Sequence, residues 1–473
     1  MVRWRAASRR SSVFPKLLGL YLLVPMVLLV GLSPIAGRSA SPNAEAAPTP
    51  PIPAIPPNIF VPQRHCTDST IAAAKAADPA LVKEFSAGDL APVVNALPSN
   101  STLVIYPASP TDPMVEYVVT AEMAITGKTN ITICGAPGKR PRIKQASNVW
   151  RIFTVGNSSN ITIEGLEIYS IYDANHDQVS GVQAIEGAHH VYIWDMWVHD
   201  VPACGVCSAR SQGHNDFRYN RIWKTAGYSR YNQSGISLFN NRNGGGGDDA
   251  NGYSDYLIGN MVWASQKVSG RTTDGNCIIM DNNKGVQKVP AYLGRTLIAN
   301  NLCVANGGRG IHMLQSDNID VVNNTLYHDL RGASARGTGL DQHQGEISVY
   351  YSSNLRIINN LSVAFLYGNV YDTGATGTNV VLAGNAFSGP TSRHPSDGFF
   401  TIPSPTGIFV LPNEDPLLPG TDFHLNSSWP FDGVGVSTSP SLPIPGSLPA
   451  LIPEVDFNGD PRPLGTVGAF AKA

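Results

Sequence analysis

Asp274, Asn276 and Asp281, followed by Arg309 and His312 and then by His343 and Glu346, are the densest run of chemistry-bearing side chains in the 473-residue chain. Arg271 precedes them, and Lys284 and Lys288 lie between. Two kinds of chemistry suit this set. Abstraction of a proton next to a carboxylate needs a base, which His312, Lys284 or Lys288 can supply. It also needs positive charge on that carboxylate, from Arg271, Arg309 or a bound cation. Hydrolysis of a glycosidic bond needs two carboxyl groups, and Asp274, Asp281 and Glu346 are the candidates. Each residue also has an ordinary structural reading. Asp274-Gly275 and Asp281-Asn282-Asn283 are turn sequences, Glu346 can cap a turn, and Arg309 can pair with Asp329 or Asp281. His312 is the residue that structure explains least.

Positioning these residues requires elements that bring distant positions together, and a degenerate repeat supplies them. From Thr102 onward the line apolar-x-apolar-x-Asn-apolar-x-apolar recurs, as in Phe217–Ile222 around Asn220 and Leu257–Val262 around Asn260. It continues around Asn301, Asn324, Asn360 and Asn385, at spacings of 40, 41, 23, 36 and 25 residues. The short spacings define a minimal coil, and the long ones are coils that carry loop insertions. A unit of this size cannot bury its apolar face alone, so stacking into a solenoid is expected. A second strand precedes each unit, and its period of two sends Ile236, Leu238, Ile311, Met313, Ile347 and Val349 inward. Ser237, His312 and Ser348 then point outward. Stacked Asn side chains at one turn can pass hydrogen bonds from coil to coil. The insertions fall between Asn220 and Asn301, so a loop-walled groove is expected there, lined by Asp274, Asp281, Arg309 and His312 with Glu346 at its edge.

The alternating strands, the Asn column, Asp274–Asp281, Gly307–His312, Ser316–Asn324 and Gly345–Ile347 resemble bacterial right-handed parallel β-helix repeat proteins of the pectate-lyase-like superfamily. The ending Asp456–Arg462 through Gly468–Phe470 is similar to their usual C-terminus. The resemblance covers roughly residues 100–473 and implies an all-β, right-handed parallel β-helix with a short N-terminal capping helix and an irregular C-terminal tail. Because lyases, glycosidases, epimerases and non-catalytic surface proteins share that architecture, it implies less about activity. Action on a polysaccharide is expected, by β-elimination on uronic-acid glycans. A glycoside hydrolase and a non-catalytic adhesive protein are the alternatives. Acidic clusters of the kind that hold calcium in pectate lyases have no match here, so neither metal nor base is carried over and the cofactor is left open. Ca2+ is a candidate without a ligand motif, since Gly244–Gly247 with Asp248 and Asp249 lacks the spacing of a calcium loop.

Arg271, Asn276, Lys284 and His343 are candidate substrate contacts. Of five tryptophans that can stack on sugars, Trp150, Trp194, Trp197, Trp223 and Trp263, the last two share one outward position three residues after the column Asn. His189-His190 and His199-Asp200 read as turn or surface residues.

Gly 46 and Pro 36 beside only 14% charged residues suit many short strands and tight turns. A net charge of −2, with no basic cluster beyond the N-terminus, argues against a nucleic-acid binder. Arg3, Arg5, Arg9, Arg10 and Lys16 precede a nearly all-apolar run from Leu17 to Leu32, the pattern of an export signal. The run is shorter than the ~20 residues of a spanning helix, which favours cleavage over a retained anchor. Residues 1–46 form this segment, 47–63 a Pro-rich linker, 64–101 a helical cap, 102–390 the β-helix and 391–473 a Pro/Gly-rich capping segment. Loss of residues 1–46 removes six basic residues and one acid, leaving −7. A secreted monomer is expected, contacting a membrane only through a retained N-terminus. All six cysteines lie in the exported part, where disulfides persist; sequence leaves their pairing open, and Cys204-x-x-Cys207 reads as a structural pair or buried thiols.

Overall fold

Alternating apolar residues commit each coil to three short strands, and the chain stacks these into three long parallel sheets. The computed structural model describes residues 60–61, 64–266, 274–285, 290–332, 345–365, 369–375, 377–389, 399–402, 406–429, 434–442, 448–463 and 465–471. Within each coil the first strand belongs to sheet 1, for example Ile311–Leu314. The second belongs to sheet 2, as Ile319–Val322 does, and the third to sheet 3, as Thr325–Tyr327 does. Among the described residues sheet 1 has nine strands and sheets 2 and 3 have eleven each. Every pairing within them is parallel, so the chain is a parallel β-helix. The export run, Arg271, Lys288 and His343 lie outside the described residues.

Register confirms the inward phase of sheet 1. Ile236 pairs with Ile278, Ile278 with Ile311 and Ile311 with Ile347, all at 0% exposure in the central core. The Asn column sits at the turn from sheet 2 to sheet 3. Each Nδ2 donates to the Oδ1 of the next coil at 2.9–3.0 Å, from Asn220 through Asn260, Asn301, Asn324 and Asn360 to Asn385. Each Oδ1 also accepts the backbone N–H of the preceding column Asn at 2.9–3.1 Å. The residue just before each column Asn is left-handed: Tyr219, Gly259, Asn300, Asn323, Asn359 and Gly384 have φ of 52° to 63°. This accounts for the Asn-Asn doublets. The first tolerates positive φ through its short polar side chain, and the second satisfies the buried bend.

The N-terminal helix Asp68–Ala77 forms as expected, with Thr67 closing a capping box, but it does not plug the core. Its one buried residue, Ile71, packs with Cys66, Val104, Cys134 and Ala136 outside sheet 2. The core end is instead closed by a second helix, Leu90–Asn95, whose Leu90, Ala91 and Val94 are at most 1% exposed within the central core. The C-terminal segment, largely irregular, is a cover over sheet 3. Its Ile402, Phe409, Phe423, Leu425, Trp429, Val467 and Phe470 bury the outer face of sheet 3 from Met261 onward.

Sheet 2 is covered too. Cys66 is disulfide-bonded to Cys134, the buried Glu164 accepts the His65 and Cys66 amides, and the His65 ring stacks on Trp194 at 4.2 Å. Further along, Phe60, Ala450, Leu451 and Ile452 pack on Tyr253, Tyr256 and Leu297. The charges that this cover buries are paired: Asp320 accepts from Arg356, Arg295 and the Tyr253 hydroxyl. The other cysteines form Cys204–Cys207 and Cys277–Cys303 disulfides. With sheet 2 covered and sheet 3 covered over its second half, the outer face of sheet 1 is where the chain builds a groove.

Candidate active site

The outer face of sheet 1 carries a cavity of about 510 Å3 that crosses five coils. Its floor is a row of in-register residues, Gln183, Cys207 and Ser237, with Ala209, Phe239 and Asp281 in the neighbouring outward row. Cys207, Ala209 and Ser237 are small and leave depth, and period-2 alternation puts both rows on one face. The wall is the loop between Thr225 and Ile236, contributing Tyr231, Asn232 and Gln233. This loop leans back over earlier coils: Tyr228 and Ser229 donate to the Pro202 carbonyl, and Arg230 pairs with the buried Asp177. Trp150, Arg151 and Arg210 complete the lining.

Asp281 ends the strand Ile278–Asp281 at the groove edge, where Asn282 Nδ2 donates to its Oδ1 at 2.6 Å. Burial, with the negative charge of Asp274 behind it, pushes its carboxyl up to about 7. Such a group changes protonation near neutrality, the property a proton-transfer residue needs. Arg210 bridges to Glu186 at 2.7 Å but keeps half its side chain exposed. Arg151 donates to Gln183 and lies 3.7 Å from Glu122.

His312 shares the face but lies in the other row, pairing with Ile279 and Ser348 while Asp281 pairs with Leu314. Its ring is 4% exposed, meets the Ser348 carbonyl at 3.4 Å, and does not line the cavity. Burial and then the Arg309 charge hold it well below the usual imidazole range, so it is neutral. Of the two, Asp281 lines the cavity and His312 does not. Asn276 is a structural residue, fully buried, accepting the Arg309 amide at 2.8 Å and donating to Ser234. Lys284 is tied down at the far corner by Asp317, the Tyr351 carbonyl and Ser353.

Glu346 is not at a groove edge but fully buried against Asp329. Asp329 belongs to a second ladder, at the turn from sheet 3 to sheet 1, where its Oδ1 accepts both the amide and the Nδ2 of Asn306 at 2.8 Å. Trp223 and Trp263 do share one outward position, but on sheet 3. They stack at 4.8 Å and continue through His199 and Tyr169, away from the groove. In that stack His199 is gripped by Asp200 at 2.7 Å and Glu167 at 3.2 Å, a structural ion network rather than a turn.

Among the described residues two clusters have metal-ligating atoms close together. One contains the Cys66–Cys134 disulfide, whose sulfurs are already bonded to each other. The other is His424, Asp456 and Asp460, where the Asp456 oxygens already accept the amides of Asn458, Asp460 and Ala471. Asp248, in the glycine-rich loop, accepts the Ser254 hydroxyl and the Arg295 amide.

Sequence reasoning missed Tyr231, Arg151, Arg210 and Gln183. They sit in loops or on strands without a column Asn. The outward position of Gln183 in Gly181–Ile185 was the available signal.

Fold and groove define a parallel β-helix with a walled cleft on one sheet. The A-module of a mannuronan C-5 epimerase from Azotobacter vinelandii is 13% identical, with a TM-score of 0.37 over 68% of this chain and 97% of that one. Pectate lyase Pel9A is 14% identical, with a TM-score of 0.37 over 81% and 90%. A rhamnogalacturonan lyase is 15% identical, with a TM-score of 0.35 over 70% and 91%. No family model and no curated protein matches the chain.

Proposed function

We propose that the sheet 1 groove binds an acidic polysaccharide and that Asp281 takes a proton from the sugar in cleavage by β-elimination. The carrying observation is that one cleft holds exposed aromatics, amide side chains, two arginines and a carboxyl poised near neutrality. Aromatic rings and amides suit sugar faces and hydroxyls, and arginines suit uronate carboxylates. Arg210 follows the floor strand two coils before Asp281, roughly 10 Å away at ~4.8 Å per rung. A long guanidinium side chain can close much of that distance to neutralise the reacting uronate. Ionised Asp281 takes the proton next to the uronate carbonyl, the leaving oxygen departs from the neighbouring carbon, and an unsaturated sugar results. Export accords with the N-terminal pattern and with three disulfides.

Hydrolysis is the second reading, favoured by the Asp274 charge that helps keep Asp281 protonated, as in a general acid beside a carboxylate. The test is a panel of uronic-acid polysaccharides followed by absorbance of the unsaturated product. Elimination gives that product and loses it by a hundredfold or more in Asp281→Asn. New reducing ends without unsaturation move the reading to hydrolysis. No turnover of any glycan, acidic or neutral, leaves an adhesive or binding protein.

A further inference from the structure

The groove has two ends, and the one far from Asp281 is also equipped for a ligand. Trp150 and Tyr231 are each 49% exposed, unlike most aromatics among the described residues. Their rings lie 6.1 Å apart with planes 36° from one another, and both line the groove. They come from distant parts of the sequence. Trp150 immediately precedes the sheet 1 strand Arg151–Gly156, and Tyr231 is carried on the wall loop three coils later. That loop is held back over the earlier coils by its bonds to Pro202 and Asp177, so the pairing is built by the fold rather than by chain neighbourhood. Holding two large aromatic rings half in water has no packing benefit that burial would not exceed.

Polar groups flank the pair. Arg151 adjoins Trp150 and is oriented by Gln183, while Gln178, Asn232 and Gln233 supply further donors and acceptors. Arg151 and Asp281 stand on strands separated by four sheet 1 pairings, from Arg151–Gly156 to Ile278–Asp281. At ~4.8 Å per rung the span is roughly 19 Å.

Resting on the groove being the glycan site, we propose that Trp150, Tyr231 and Arg151 form a remote subsite that grips a uronate unit of the same chain several sugars away from the bond acted on at Asp281. The aromatic pair stacks on a pyranose face and Arg151 pairs with its carboxylate. The protein is thereby selective for polymer over short oligomers, since binding energy gained at a distance helps hold the reacting sugar in place.

The experiment measures binding of an oligouronate ladder, dimer to octamer, to Asp281→Asn protein by calorimetry. A parallel ladder of neutral oligosaccharides is run beside it. The expected result is a step in affinity at the length that first reaches the aromatic pair. Trp150→Ala or Tyr231→Ala removes that step, weakening long oligouronates tenfold or more and short ones less than twofold, while Trp150→Phe restores most of it. Both rings are half exposed, so the melting temperature should move little. Equal weakening at every length, or long oligomers bound as tightly as before, overturns the subsite. A step shown by neutral glycans alone keeps the aromatic grip but overturns Arg151 as a carboxylate partner and the acidic-glycan reading with it. Absence of binding by both ladders overturns the subsite and the groove's function together.

Discussion

Asn301 donates from Nδ2 to Oδ1 of Asn324 at 2.9 Å, and the same oxygen accepts the Asn301 backbone amide at 2.9 Å. One side chain thus satisfies a buried backbone N–H and a buried amide in the coil before it. Asn324 in turn donates to Asn360 and to the Ile298 carbonyl. Replacing Asn324 by Leu strands the Asn301 amide and one Asn301 Nδ2 hydrogen in the interior, while the Asn360 Oδ1 keeps the backbone amide of residue 324. Each unsatisfied buried group costs about 1–3 kcal/mol, so a loss of about 3 kcal/mol or more is expected in chemical denaturation. Asn318→Gly tests the partly exposed ladder formed with Asn354, where water replaces the lost bond and glycine accepts the left-handed φ of 62°, and should cost about 1 kcal/mol or less. Similar losses in the two variants would show that the buried ladder is not a special support.

The strand phase makes a second prediction. Ile311 has 0% exposure between Ile278 and Ile347, whereas Ser237 lies on the groove floor at 8%. Ile311→Asp places a carboxylate in the apolar core, at a cost of several kcal/mol, and should leave little folded protein. Ser237→Asp can turn its charge into the water of the groove and should lower the melting temperature by a few degrees at most. The check is soluble yield and thermal unfolding of the two variants side by side.

The contrast between these residues also shows why the fold was easier to read than the site. Ile311 and Asn324 owe their environment to the coil above and below, which carries the same pattern, so their place is written locally and repeatedly. Ser237, His312 and Ser348 were all legible as outward by the same period of two. Whether an outward residue meets water depends on what lies over the sheet, and Ser237 lines the cavity while His312 does not. Trp150 read as one of five sugar-stacking candidates, but nothing in its neighbourhood separates it from Trp194, which the N-terminal strap buries under His65. Tyr231 reaches the groove on a loop held back by the Pro202 carbonyl and by Arg230 on Asp177, the latter a contact between residues more than fifty positions apart.

Asp281 gives a prediction in pH. Burial raises its folded carboxyl from the ordinary aspartate range to about 7, so its contribution to stability is present below about pH 4 and is lost as pH rises through 7. Asp281→Asn removes the ionising group and should raise the melting temperature at pH 8 by more than at pH 5. Activity supplies the complementary reading. A base at Asp281 makes kcat/KM rise with pH up to a plateau just above 7, whereas a general acid makes it fall over the same range. A rate profile flat from pH 5 to 9 would place the proton transfer on another residue.

Asp329 and Glu346 form the other pH-sensitive pair, and here stability alone is at stake. Both are 0% exposed, and Asp329 Oδ2 and both Glu346 carboxyl oxygens are buried without a donor from elsewhere in the described residues. The pair therefore needs a proton of its own. Burial raises Asp329 to about 6, and burial together with the neighbouring Asp329 carries Glu346 well above the usual carboxylate range. Since both folded values exceed the unfolded ones, the native state holds extra protons, and stability falls as pH rises through 6 and beyond. The slope for each group is at most about 1.4 kcal/mol per pH unit. Glu346→Gln keeps the shape and offers Asp329 an N–H in place of the shared proton, so urea midpoints should decline less between pH 5 and 8 than in the unsubstituted protein. The variant should be the more stable of the two at pH 8. Parallel midpoint curves over that range would mean that the two carboxyls ionise freely and that the proton between them does not support the coil.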